Sequence, residues 1–261
     1  MIRVFVLSLC LFLTGCITTA ETGVLRRQEI PKVENKRLTT LENLRPPARI
    51  ITVAVYDFPD LTGQRKDGDG IASLSSAVTQ GGTALLIDAL KHAGNGLWFK
   101  VVERNRIDDL AKERQIVRQT REEYQGKDAN KLDPMLFAGI MLQGGIIGYD
   151  TNIMTGGSGA RYLGIGATKS YRRDQVVVAL RAVSTNTGEI LMNTNVSKTV
   201  LSIGSDLSIF KFVDVGTKLI EAEKGMTQNE ANTMAVKMAI EAAVEDIVKQ
   251  GIDRGYWEYD K

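Results

Sequence analysis

One histidine and two cysteines in 261 residues leave too few ligands for a His/Cys metal site. Charge of one sign is not in excess: 33 Lys+Arg stand against 31 Asp+Glu, a net +2. That balance gives no reason to expect a nucleic-acid partner. No uncharged apolar run reaches the roughly 18 residues that a spanning helix needs, so a polytopic helical membrane protein is excluded. G-x-S-x-G is missing. Hydrophobic residues at 43% and charged residues at 25% are ordinary for a globular chain and exclude bulk disorder.

Both cysteines, Cys10 and Cys16, fall in the opening segment MIRVFVLSLCLFLTGC. Arg3 supplies a positive start and 4–13 is apolar, too short to span a bilayer and suited to a secretory signal. Leu13-Thr14-Gly15-Cys16 fits the bacterial lipobox pattern. The expectation is a lipoprotein signal peptide over 1–15, cleavage before Cys16 and acylation of Cys16. A plain secretory signal with an accidental cysteine is the bland alternative. Ile17 stands where an Asp would suggest inner-membrane retention, so the outer membrane is the default. Cleavage and acylation would leave no free thiol, which excludes disulfides and thiol catalysis.

Residues 16–48 lack periodicity and contain Arg26-Arg27, Pro31 and Pro46-Pro47, which read as an extended lipidated arm. The remainder, 49–261, reads as an α/β domain. Residues 49–58 (RIITVAVYDF) are strand-like, and 59–76 form a loop longer than a compact domain usually carries, which points to function or disorder. Residues 83–92 have the apolar stripe of an amphipathic helix, with His92 in its last turn. A short strand follows at 98–102. A charged helix is expected over 104–123 with Ile107, Leu110, Ala111 and Ile116 inward, then a short helix opened by Asp133-Pro134. Strands are expected over 139–149, 175–184 and 189–201, and a long helix over 229–250 stopped by Gly251. His92 suits a helix C-terminus better than a catalytic base, and Asp108-Asp109 reads as a solvated face. No catalytic constellation emerges.

Two segments stand apart from that domain. Residues 144–166 hold 8 of the 25 glycines, but the third glycine of G-x-G-x-x-G would fall on Tyr162 or Lys169, so this is no dinucleotide loop. Residues 203–227 show an imperfect two-residue period, with Ile203, Leu207, Ile209, Val213 and Val215 on one side and Lys211 interrupting them. Such a strand suits a wall between lipid and a wet lumen, with Lys211 reaching an interface. A spanning β-strand takes roughly 9–11 residues. The segments 153–173 and 203–227 are therefore each long enough for a membrane hairpin. Soluble hairpins or glycine loops are the plainer alternative.

Several motifs together resemble the CsgG family, the curli secretion channels of bacterial outer membranes. They are Tyr56-Asp57 with Thr62-Gly63-Gln64, then Gly145-Ile146-Ile147-Gly148-Tyr149, then Gly159-Ala160-Arg161-Tyr162 with Gly164-Ile165-Gly166-Ala167. Thr187-Gly188-Glu189-Ile190-Leu191, Ser197-Lys198-Thr199 and Gly251-Ile252-Asp253-Arg254-Gly255 with Trp257 complete them, in order along nearly the whole chain. The resemblance implies a lipid-anchored outer-membrane pore exporting unfolded curli subunits, functional amyloid precursors, with no cofactor beyond the lipid on Cys16. It implies a ring of nine chains, a nonamer, each giving two transmembrane β-hairpins to one shared 36-strand barrel above an α/β periplasmic domain. A periplasmic accessory protein would cap the vestibule, and a surface accessory protein would couple exit to fibre nucleation.

Physics adds that four strands per chain fall short of the smallest barrels, so spanning hairpins must be shared among copies. The family's loop corresponding to 59–76 forms the pore constriction, lined by Tyr, Asn and Phe. The resemblance carries those positions onto Asp69, Ser73 and Leu74, none of them identical to the family residue. Leu74 stays apolar, Ser73 stays small and hydrogen-bonding, and Asp69 brings a charge. With no nucleotide motif in the chain, export would be diffusive, through a ring offering many weak contacts. The competing reading is a monomeric, outer-membrane-anchored lipoprotein that binds or activates an envelope partner.

Overall fold

The β-branched-rich pentapeptide ITVAV forms β1 (Ile51–Val55), its last three side chains buried. A computed structural model describes residues 38–64, 78–126, 130–156, 169–205, 209–214 and 228–260. Those residues include α1 (Thr39–Glu42), β1, α2 (Gly82–His92), β2 (Phe99–Glu103), α3 (Ile107–Gln125), β3 (Ile140–Gly156), β4 (Lys169–Ser184), β5 (Ile190–Ser205), β6 (Ile209–Asp214) and α4 (Gln228–Asp253). One mixed sheet runs β2-β1-β3-β4-β5-β6. β1 is parallel to β2 and β3, and the pairs β3–β4, β4–β5 and β5–β6 are antiparallel.

One face of the sheet is packed by helices. Val176, Val178, Leu180 and Ala182 of β4 alternate inward, the two-residue period of a half-buried strand. Against them α4 lays the buried pairs Ala235/Val236, Ala239/Ile240, Ala243/Val244 and Ile247/Val248. This is a helical stripe in which one small residue per turn lets the backbone approach the sheet. α2 adds Leu86, Ala89 and Leu90. Leu41 of α1 is fully buried in the same core. At the domain's lower end Trp98 and Trp257 meet edge-on at 6.2 Å, each indole N–H donating to a carbonyl, Arg45 O at 2.9 Å and Val248 O at 2.8 Å. The tail then pairs with residues 45–48: Ala48 N donates to Glu258 O and Asp260 N to Pro46 O.

Four expectations need correction. Asp133-Pro134 opens no helix. Residues 130–138 run without regular structure, because arginine side chains take their carbonyls: Arg121 binds Asn130 O, Arg114 binds Asp133 O and Arg104 binds Leu136 O. The helix expected over 104–123 is Ile107–Gln125, and it buries no residue. Ile107 and Leu110 are half-buried, but Ala111 and Ile116 are exposed, since the half-buried stripe runs through 107, 110, 114, 117 and 121 instead. Gly251 does not stop α4, which continues to Asp253, and the left-handed turn falls at Gly255, φ +72°. Gly251 serves packing: a Cβ there would lie 1.9 Å from Trp257 Cε2. Finally, β3, β4 and β5 are not domain strands followed by separate segments. Each runs on unbroken, to Gly156, from Lys169 and to Ser205, because pairing continues from Ile140↔Ser184 to Gly156↔Lys169 and on to Lys169↔Ser205.

Candidate functional site

The stem of the long loop is built where β1 and β3 part. Their ladder ends at Val55↔Leu142, and the chain returns to β3 four residues higher, through a bridge between Asp60 and Ile146. Leu61 N donates to Ile146 O at 2.9 Å and Ile146 N donates to Pro59 O at 3.0 Å. Two glycines make this approach feasible. A Cβ on Gly144 would stand 2.1 Å from Ala179 O and 2.6 Å from Phe58 Cε2, and one on Gly145 would stand 2.8 Å from Pro59 O. β3 then bulges between Ile146 and Gly148. A bulge re-aims the strand and raises its local twist.

The second end of the loop is tied to the first. Asp60 Oδ1 accepts from Thr62 N at 2.9 Å and from Thr62 Oγ1 at 2.6 Å, while Oδ2 accepts from Gln80 Nε2 at 3.0 Å. Phe58 is buried as a plug, its N–H donating to Thr83 Oγ1 at 2.9 Å in the first turn of α2. Gly82 allows that seat, since a Cβ there would lie 2.5 Å from Phe58 O. Asp60 is thus a clamp across the mouth of the loop. Asp69, Ser73 and Leu74 lie in 65–77, outside the described residues, as does Cys16.

Beside the stem, on the sheet face opposite α4, lies a cleft of about 560 Å³ lined in part by Tyr56, Asp57, Leu61, Arg104, Gln143 and Arg181. That face is open to solvent and carries polar groups among exposed apolar ones: Arg181 Nη2 donates to Gln143 Oε1 at 3.1 Å, Gln175 Nε2 donates to Ser197 Oγ at 2.7 Å, Asn193 and Asn195 are exposed, and so are Leu61 and Ile147. The two sheet faces therefore differ, one apolar under helices and one wet. Higher up, where β3 and β4 leave the helices, Tyr149 Oη accepts from Asn232 Nδ2 at 2.7 Å and lies 3.5 Å from Asp174 Oδ1. This buried polar group closes the top of the core.

Beyond that point β3–β6 form a four-stranded antiparallel ribbon. At about 3.4 Å per residue, the 16 residues of β4 extend about 54 Å. That is far longer than an ordinary strand of five or six residues. Among the described residues the ribbon has two open edges. β3 has no partner on its β1 side from Ile147 to Gly156, and β6 pairs only with β5. Such edges are templates for another strand.

Other candidates supply no chemistry. His92 Nδ1 sits 2.8 Å from Asp88 O and 3.3 Å from Asp88 Oδ1, half-exposed at the end of α2. Asp108 and Asp109 lie in the first turn of α3, with Asp109 paired to Arg106 at 3.3 Å. Among the described residues no group of three or more His, Cys, Asp or Glu could hold a metal, and no helix is long and apolar enough to cross a membrane. The sequence reading missed Asp60, Gln80 and Gly144 as the loop's supports. Their signals were present in the D-x-T pattern of an Asx turn and in the doubled glycine.

Comparison with known proteins places residues 34–261 in the family described as curli production assembly/transport component CsgG. The protein of that description from Escherichia coli strain K12 is 39% identical over 258 residues, covering 98% of this chain and 91% of its own. The Salmonella typhimurium strain LT2 protein of the same description is 38% identical with the same coverage. Among solved structures, lipoprotein GNA1162 of Neisseria meningitidis is similar over 76% of this chain and 99% of its own, at 13% identity and a TM-score of 0.31. That likeness is too loose to bear on function.

Proposed function

This chain belongs to the family of curli production assembly/transport components called CsgG, and from that premise we propose that it acts in curli secretion as an oligomeric outer-membrane channel for unfolded subunits. The observation that carries the reading is the β3–β6 ribbon, continuous with the domain sheet and, among the described residues, open on both edges. In lipid an open edge leaves backbone N–H and C=O groups unpaired, each costing several kcal/mol. Pairing β6 of one copy with β3 of the next removes both edges, and repetition closes a wall. A ring of nine copies closes it with 36 strands. The hairpins would centre on 153–173 and 203–227, and the acyl chains on Cys16 would hold each copy at the membrane. One acyl chain anchors weakly, but many in one ring anchor firmly.

The wet face of the sheet becomes the lumen side, because the loop stem, the cleft and the exposed amides lie there together. The loop fixed by the Asp60 clamp then narrows the passage, with Asp69, Ser73 and Leu74 as its lining residues. Leu74 offers apolar contact, Ser73 hydrogen bonds and Asp69 a charge. None of these grips a chain, so an extended substrate enters and leaves by diffusion. A periplasmic cap and a surface nucleator would bias entry and exit. The monomeric binder leaves both ribbon edges without a purpose.

Heat-modifiable, detergent-stable rings on a gel and single-channel conductance in planar bilayers test this reading. Leu74→Trp is expected to lower conductance and Asp69→Asn to change its ion selectivity. Purified acylated protein that stays a water-soluble monomer and never makes liposomes leaky overturns the channel. Unchanged conductance and selectivity in both variants remove the lining assignment and leave the channel.

A further inference from the structure

We propose that Gln250 and Arg254, at the C-terminal end of α4, are positioning residues that block the lower edge of β5. They occupy its outward carbonyls, keep a second copy of this chain from pairing there, and so confine strand pairing between copies to the ribbon. The inference rests on the channel reading and adds the reason its copies join at one level only.

Below Val200, where the described pairing with β6 ends, β5 has a strand on its β4 side alone among the described residues. In an antiparallel pair, alternate residues point their N–H and C=O groups to opposite sides of the strand. Two outward carbonyls are already taken. Arg254 Nη1 donates to Leu191 O at 2.6 Å, and Gln250 Nε2 donates to Asn193 O at 3.2 Å. Both donors come from one turn of α4, four residues apart, and so lie on the same side of the helix.

The Gln250 amide is held in this role. Its Nε2 also donates to Asp246 Oδ2 at 2.7 Å, so both neighbours are acceptors and the amide can face them only with its nitrogen. That orientation leaves Gln250 Oε1 buried without a partner among the described residues. A buried acceptor left unmade is destabilising, so the arrangement is not the one that would suit the glutamine alone.

The other end of the sheet shows the same device. Ile51 N donates to Trp98 O, which turns the even residues of β2 toward β1 and the odd ones outward. The outward carbonyl of Glu103 accepts from Arg104 Nη1 at 2.7 Å. A guanidinium therefore sits on each outer edge of the domain sheet, at β2 and at β5. Charged side chains on an edge are a recognised way to prevent pairing with another chain. The open edges of the ribbon stand above both.

The test uses the full-length lipidated protein extracted from outer membranes. Its native cysteines, Cys10 and Cys16, both lie in the first 16 residues, so new thiols read cleanly. Asn193→Cys reports on the edge: two β5 edges pairing antiparallel about residue 193 bring the two thiols opposite each other, within disulfide reach. Gln250→Met with Arg254→Met keeps the aliphatic stems and removes the donors. Added to Asn193→Cys, this pair is expected to raise the disulfide dimer formed on mild oxidation at least about tenfold and to lower ring yield to match. Asn195→Lys, which puts a new charge on the bared edge, is then expected to restore the rings, as repair of a merely structural loss would not. Unchanged dimer in the methionine pair, or rings that Asn195→Lys fails to restore, overturn the blocking role and leave the channel standing. An unsubstituted protein that makes no rings overturns both readings.

Discussion

Gly144 and Gly145 are neighbours on β3, yet alanine at each has a different consequence. At Gly144 the new Cβ meets Ala179 O at 2.1 Å, about 1.3 Å inside an ordinary contact, and the obstacle is the backbone of β4 at the middle of the sheet. Strands about 4.8 Å apart cannot yield that distance without losing ladder bonds. Overpacking of about 1–3 kcal/mol together with one or two lost hydrogen bonds of about 1 kcal/mol each puts the cost near 3–5 kcal/mol. That is a large fraction of the stability of a whole domain. At Gly145 the Cβ meets Pro59 O at 2.8 Å, and the obstacle is the loop stem alone. The stem retreats by about 0.6 Å and strains the two bonds joining Pro59 and Leu61 to Ile146, at about 1–2 kcal/mol. Gly144→Ala is therefore expected to reduce assembled ring in outer membranes more than tenfold. Gly145→Ala is expected to assemble normally and to conduct with a shifted, broadened distribution of single-channel levels. If Gly144→Ala assembles as well as Gly145→Ala, or if Gly145→Ala conducts like the parent, the close-approach argument is wrong.

Gly251→Ala gains about 1 kcal/mol of helix propensity but drives Trp257 from its pocket, at about 3 kcal/mol or more. Both tryptophans are shielded in the fold, so emission shifts red and acrylamide quenching rises. In a Trp257→Ala background the same glycine change becomes stabilising, and a destabilising result in that background refutes the clash. Lys249 has its pKa raised chiefly by its hydrogen bond to Glu245; burial is the next effect and opposes the rise, and the charges of Glu245 and Asp246 add to it. A raised folded pKa means the pair's contribution is complete below the ordinary lysine range and disappears as pH climbs through the raised value. Because the lysine is 56% exposed, Lys249→Met costs under about 1 kcal/mol at neutral pH, and its stability difference from the parent shrinks as pH rises through the raised value. A difference that grows with pH contradicts the assignment.

The sequence was most readable where one face of one element is buried. The stripe of α4 and the alternation of β4 are local patterns, visible without knowing what they face. The α3 stripe was misjudged because its inner line includes Arg114 and Arg121, whose stems lie half-buried while their guanidiniums bind strap carbonyls. Hydropathy alone assigns arginine to solvent. Gly251 looked like a helix stop because the indole that requires it belongs to a residue six positions later. The Asp60 clamp and the glycine seat join residues 58–61 to residues 144–146, a contact made by topology, which no local pattern encodes. The close approaches at Gly144 and Gly145 give the physical reason for that doubled glycine.

Because β3, β4 and β5 pass from the domain into the ribbon without a hinge, a ring of such copies has no joint between its base and its rim. In such a ring each copy would contribute four strands, roughly 19 Å measured across them at about 4.8 Å per strand. Its aperture would widen only in steps of that size, by admitting a further copy whose domain must also find room below. A tube of this construction would resist stretching as one rigid piece, leaving any adjustment to a passing chain to whatever lines its bore.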